Sequence, residues 1–280
     1  MTAYLKLVSP LLRVSLKLRK TPRWLKWFIV PAVAIQKEDF VLAVRNKLLG
    51  SSGNKVARQI RDQGFADVSN LVNLTASEIY SVNKYFSVQR GYDSQVPIQS
   101  SLVSEPLDYL LERGVNYISF PIDVSLNNEV IERVANSKTL RSVSDSYLGF
   151  RSRIYSVNTM LTVPSVQLHG VTNIHRDYDD IVFLVCFIYW TETSRNNGAT
   201  YFVPGSHLGR AKDGVYLEGR AGSVFFIDSY GLHAGNKQIQ TPRLATWIRL
   251  GSIPNLAYVC DKNYLFLKAS EGDLARVVPD

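Results

Sequence analysis

Histidine is scarce in this chain: among 280 residues there are four, His169, His175, His207 and His233, so each placement carries information. Cysteine is scarcer still. Cys186 and Cys260 lie far apart, which excludes a disulfide framework and a zinc knuckle and leaves two buried thiols in a reducing compartment. No apolar run reaches the roughly 20 residues that a membrane-spanning helix needs. "WLKWFIVPAVAI" (24–35) falls short of that, and its persisting basic residues and lack of a small-residue cleavage site do not fit a secretory leader. A cytoplasmic protein is therefore expected. Internal repeats and low-complexity tracts are absent. Acid is missing from residues 1–26, while Lys6, Arg13, Lys17, Arg19, Lys20, Arg23 and Lys26 are all there.

What the chain does have is apolar content, 46%, enough for a sizeable core at this length. Residues 1–100 read as a helical region. "EDFVLAVRNKLLG" and "KVARQIRDQGF" carry apolar residues at helical spacing, and "TASEIYSVNKYF" opens with a capping-box pattern, Thr75 and Glu78. "SQVPIQSS" reads as a linker. Residues 101–280 change character. After the strand "GVNYISFPI" and one helical stretch ending at Gly149 come strand-like runs, "RIYSVNTMLTV", "IVFLVCFIYW", "ATYFVP", "GSVFFID" and "LATWIRLGS", parted by turn clusters. Short strands between turn chemistry predict a mainly β sandwich or barrel with helices in front of it.

The chemistry sits in "TNIHRDYDD". At the end of a strand, His175 and Asp177 share a face, because residues two apart do. An imidazole and a carboxylate suit a divalent first-row metal, and two histidines with one carboxylate form the facial triad of non-haem Fe(II) oxygenases. The second histidine must come from elsewhere. His169 is six residues before the motif and His207 sits in the turn "PGSH". His233 follows an apolar strand and a turn, and is favoured on geometry. Enzymes of this kind use 2-oxoglutarate, whose distal carboxylate needs a fixed cation. Arg243 opens the strand ten residues beyond His233, and Arg249 is its nearest rival on the same nominal face.

Three segments carry a family resemblance. "YLGFRSRIYSVNTMLT" (147–162), "NNGATYFVPGSHLG" (196–209) and "GRAGSVFFIDSYGLHAGN" (219–236) resemble the phytanoyl-CoA dioxygenase family, over roughly residues 106–252. The resemblance implies a double-stranded β-helix (jelly-roll, cupin-like) core. It implies His175, Asp177 and His233 as iron ligands and Arg243 as the 2-oxoglutarate anchor. It also puts Met160 in the co-substrate pocket and Phe187 or Trp190 at an aromatic pocket position. The implied activity is that of an Fe(II)- and 2-oxoglutarate-dependent dioxygenase. It would use dioxygen to hydroxylate a small-molecule, lipid or sugar-derived substrate, releasing succinate and carbon dioxide. A carboxylate at Asp177 excludes the related halogenases, which have a small residue there. The family often has glutamine within the H-x-D motif. Here Arg176 stands instead, expected either to meet an anionic substrate at the mouth or to face solvent.

Two other classes compete: a jelly-roll protein that binds a ligand without turnover, and a membrane-peripheral interaction protein acting through its N-terminal residues. The net charge of +8 is concentrated at one end without a recognition motif, so nucleic acid is not an expected partner. For residues 1–35 two readings stand: contact with an anionic membrane surface through Trp24, Trp27, Phe28 and the basic residues, or a solvated face of a packed helix. Co-sedimentation with vesicles separates them. Membrane contact requires binding to anionic vesicles at low salt that high salt removes, at about 1 kcal/mol per basic residue; no binding at low salt leaves the packed helix.

Overall fold

In the computed structural model, which describes residues 54–94, 104–149, 151–164, 173–177, 182–235 and 240–251, the first helix is set by its two ends. Asn54 accepts from the Val56 and Ala57 amides, and helix α1 (Lys55–Gln63) stops at Gly64, whose φ of 89° is left-handed. A Cβ at Gly64 would lie 2.7 Å from Phe202 Cζ and 2.8 Å from His207 Nδ1, so glycine also permits close packing there. Strand β1 (Phe65–Asp67) follows, then α2 (Ser69–Val72), α3 (Ala76–Phe86), β2 (Arg90–Asp93), β3 (Glu105–Pro106), α4 (Leu107–Glu112), β4 (Tyr117–Phe120) and α5 (Ile122–Leu126). The capping box of Thr75 and Glu78 opens α3. The stretch read as one helix up to Gly149 is two, α6 (Glu129–Ala135) and α7 (Lys138–Leu148). Ser137 breaks it by taking extended backbone and accepting from the Leu140 amide. The helix expected over 38–50, the membrane-contact segment 1–35, His169, Cys260 and most of the expected linker lie outside the described residues.

Strands dominate thereafter: β5 (Arg153–Thr162), β6 (Leu184–Tyr189), β7 (Thr200–Phe202), β8 (Val215–Leu217), β9 (Val224–Ile227), β10 (His233–Ala234) and β11 (Arg243–Gly251). One sheet has the order β1-β9-β6-β11-β5-β4-β2-β3 and the other β10-β7-β8. An isolated antiparallel bridge between His175 and His233 adds the 173–177 segment beside β10. Following the chain from β5, strands cross between the sheets: β5 in the large one, 173–177 in the small one, β6 back, β7 and β8 across, β9 back, β10 across, β11 back. That crossing pattern is the double-stranded β-helix. Residues before 100 also contribute to it, since β1 pairs with β9 and β2 with β4.

The central strands are apolar on both faces, which is why "IVFLVCFIYW" reads as a continuous run. On β11, Leu244, Ile248 and Leu250 join the main core with Ile60, Val82, Phe86, Leu140 and Tyr147 from the helices. Ala245 and Trp247 point the other way, into an interior cluster with Tyr189, Phe202, Phe225 and Ile227. Cys186 is fully buried on the helix side, and burial pushes its thiol far above the ordinary range, so it is chemically inert.

A buried carboxyl links the helical layer to the interior. Tyr147 of α7 donates to Asp228 Oδ2 at 2.5 Å, and Asp228 Oδ1 accepts from the Tyr230 amide at 3.1 Å, fixing the turn between β9 and β10. Asp228 is completely buried. Tyr147→Phe therefore leaves a buried acceptor short of a donor and is expected to destabilise the fold by about 1–3 kcal/mol, measurable by chemical denaturation.

Candidate active site

The metal-ligating residue types converge through backbone pairing. The His175 amide donates to the His233 carbonyl at 2.9 Å and the His233 amide returns the bond at 2.9 Å. Their rings lie 4.4 Å apart between centroids. The Asp177 amide donates to the Ser229 carbonyl at 2.9 Å, holding the other end of the segment to the same turn. His175 Nε2 is 3.7 Å from Asp177 Oδ1, and His233 Nε2 is 3.8 Å from Asp177 Oδ2. One donor atom from each residue lies within 4.8 Å of the others, the only such group among the described residues.

The protonation of the rings follows from their partners. His175 Nδ1 contacts the Asn173 carbonyl at 2.8 Å and His233 Nδ1 the Gly231 carbonyl at 2.9 Å. A carbonyl only accepts, so both Nδ1 atoms carry hydrogen, and both Nε2 atoms lie on the Asp177 side. Burial pushes the His233 imidazole below its usual pKa; Asp177 and the Gly231 carbonyl oppose this, while His175 and Arg249 reinforce it. Neighbouring donors on an ion with bonds of about 2.1 Å sit about 3 Å apart, so the cluster accepts such an ion after a contraction of less than about 2 Å. The donor set fits iron.

The β11 alternation brings two arginines into the interior. Arg249 Nη2 lies 3.6 Å from Asp177 Oδ2. Arg243 is 7% exposed, its Nε has no hydrogen-bond partner among the described residues, and its guanidinium carbon lies 5.2 Å from the Tyr189 ring centroid and 5.7 Å from that of Phe187. Phe187 stacks on Trp247 with centroids 5.2 Å apart. Opposite Arg243 and Thr162 in register stands Tyr117; burial raises its phenol pKa and the Arg243 charge acts against that. A buried, incompletely satisfied guanidinium could bind a carboxylate such as the distal end of 2-oxoglutarate.

Met160 pairs with Ala245 and Ser119 on this interior face, half-buried, its sulfur 3.9 Å from Ser94 Oγ. Of the two aromatics left open, Phe187 faces Arg243. Trp190 belongs to the main core and donates from Nε1 to Thr246 Oγ1 at 2.8 Å. His207 is fully buried against α1, its Nε2 3.0 Å from the Arg61 carbonyl, and takes no part in the cluster. Sequence reasoning missed Tyr189 and Tyr117. Tyr189 was within reach, since it lies two residues beyond Phe187 on one strand face.

Comparison with known proteins follows this geometry. Residues 126–241 match the family model described as Phytanoyl-CoA dioxygenase (PhyH). Solved structures with a similar fold include the epimerase SnoN in complex with Fe3+, alpha ketoglutarate and nogalamycin RO (18% identity, 74% of this chain and 83% of that chain, TM-score 0.52). They include the non-heme alpha ketoglutarate dependent carbocyclase SnoK from nogalamycin biosynthesis (17%, 71% and 84%, TM-score 0.51). HygX from Streptomyces hygroscopicus with nickel and 2-oxoglutarate bound is also similar (13%, 71% and 86%, TM-score 0.52). No curated protein matches by sequence. These likenesses show that the fold is the jelly roll. Within that fold, residues 126–241 are similar to the phytanoyl-CoA dioxygenase family.

Removing one ligand of three leaves a facial site incomplete. His175→Ala, Asp177→Ala and His233→Ala are each expected to abolish stoichiometric Fe(II) binding in an anaerobic titration, while His207→Gln retains it. Full occupancy in His233→Ala would reject the assignment.

Proposed function

We propose that this chain is an Fe(II)- and 2-oxoglutarate-dependent dioxygenase that hydroxylates a small-molecule, lipid or sugar-derived substrate. One observation carries the reading: a His175–Asp177–His233 cluster and a buried, incompletely satisfied Arg243 share the interior of one jelly roll. His175 Nε2, Asp177 and His233 Nε2 would hold the metal, and Arg243 the distal carboxylate of 2-oxoglutarate. When bound, iron and 2-oxoglutarate supply the oxidising chemistry: dioxygen is consumed as 2-oxoglutarate loses carbon dioxide to give succinate, and one oxygen atom is left for a C–H bond. The chain's own groups do the rest. Asn173 and Gly231 carbonyls keep both imidazoles in the ligating tautomer. Phe187, Tyr189 and Trp247 form an apolar wall that keeps water from the Arg243 contact and strengthens its pull on a carboxylate.

The similar folds include proteins titled epimerase and carbocyclase, so the product depends on how a substrate is seated. HygX is crystallised with hygromycin B, and SnoN with nogalamycin RO, both small molecules, which supports that substrate class here. No helix among the described residues is long and apolar enough to cross a membrane. A cytoplasmic setting, with any membrane contact made peripherally through residues 1–35, suits such an enzyme.

The competing jelly-roll binder without turnover has no need of Arg243. Arg243→Ala is expected to keep Fe(II) bound and to raise the 2-oxoglutarate concentration needed for succinate formation by at least about tenfold, the loss of a charge-assisted pair worth about 1.5–3 kcal/mol. If Arg249→Ala weakens 2-oxoglutarate and Arg243→Ala does not, the anchor is Arg249. If the wild-type protein with iron forms no succinate across a substrate screen, the oxygenase reading falls.

A further inference from the structure

His175 and Asp177 lie two apart and share a face, so the residue between them must point the opposite way. Arg176 does so. It turns away from the metal cluster and reaches two loops that are far off in sequence. Its Nη1 donates to the Tyr230 carbonyl at 2.6 Å and to the Ser206 carbonyl at 2.9 Å. Its guanidinium carbon lies 5.2 Å from the Tyr230 ring centroid, a cation–π distance. The Tyr230 ring is buried, 1% exposed.

These contacts meet at the turn that carries His233. The Tyr230 carbonyl belongs to the peptide directly before Gly231, and the Gly231 carbonyl holds His233 Nδ1 at 2.9 Å. The Gly231 carbonyl shares one peptide plane with the Leu232 amide, and that amide donates to the hydroxyl of Ser206, the residue whose carbonyl Arg176 holds. The third party, Ser206, is built into the same turn: its hydroxyl accepts from the Leu232 amide at 2.7 Å and donates to the Val203 carbonyl at 2.6 Å. The backbone pairs between 173–177 and 229–233 align the strands, and Arg176 adds a side-chain tie from the H-x-D segment to the Tyr230 carbonyl. A planar guanidinium bonds two carbonyls while stacking on a ring, which a lysine ammonium cannot reproduce.

We infer that Arg176 is a positioning residue for the metal site, a clamp that ties the segment bearing His175 and Asp177 to the turn bearing His233 and thereby sets metal affinity. It does not contact substrate. The inference rests on the metal site proposed above, and its test separates the two. Amide hydrogen exchange over 228–234 in the metal-free protein reads the clamp without reference to any metal. Titration with Co(II) under anaerobic conditions, followed by its visible absorption, reads the consequence.

In Arg176→Ala, exchange over 228–234 is expected to speed up relative to the rest of the sheet. Co(II) affinity should fall about 10–100-fold, the usual effect of losing a residue that orients ligands. The Co(II) spectrum should broaden or shift. Arg176→Lys should recover part of the affinity, and it carries the test if the alanine variant does not fold. Unchanged exchange in both variants overturns the clamp. Faster exchange with wild-type Co(II) affinity and spectrum overturns its role in positioning the metal ligands. Wild-type protein that binds no Co(II) or Fe(II) instead removes the metal site itself, and the exchange result still decides whether the clamp exists.

Discussion

Two reciprocal backbone hydrogen bonds between His175 and His233, each 2.9 Å, make the site possible. They join a short segment to a two-residue strand, and neither piece would hold its direction alone. The pairing stands the two imidazoles side by side at 4.4 Å and, through strand alternation, brings Asp177 onto their face. The large sheet exists in part to support this bridge. β9 delivers the turn from Asp228 to His233, and the buried Asp228 keeps that turn in shape through Tyr147 and the Tyr230 amide. The chain is thus braced from the helical layer, through one carboxyl, to the turn before His233.

The second constraint is the buried Arg243. Desolvating a guanidinium is unfavourable, and within the described residues its compensation is incomplete: two aromatic faces and an Nε with no partner. The turn before it is held with care. Asn197 accepts from the Gln240 and Thr241 amides and donates to Thr241 Oγ1, so the "NNG" turn fixes where β11 begins. A position that must carry a buried cation in one place needs such a start. The same strand stabilises the sheet through Leu244, Ile248 and Leu250 and carries the buried Arg243 on its other face.

Much of this was legible in the residues. The capping box at Thr75, the break at Gly64, the apolar runs of β5, β6, β9 and β11, and the pairing of a histidine with a carboxylate two residues on all follow from local rules. Three of the shortest strands were not: β1, β8 and β10 are too short to display alternation, and β1 and β2 fall in a region dominated by helical spacing. Their existence depends on partners more than a hundred residues away in β1 and on the bridge in β10. The choice between Phe187 and Trp190 was likewise a matter of which face meets which layer. Register against β11 puts Phe187 opposite Trp247 while Trp190 joins the main core, and register is tertiary information.

Arg176 marks the boundary between the two kinds of knowledge. Alternation alone states that it cannot share a face with its neighbours, so a place at the mouth beside the metal was already disfavoured by the rule that paired His175 with Asp177. Where it goes instead has no local signal. Its acceptors are carbonyls 30 and 54 residues further on, and carbonyls are the same at every position of a sequence. Only the folded turn aims them. Side-chain direction is written locally, whereas the destination of a side chain is written by the fold, and a residue inserted between two ligands is well placed to read both.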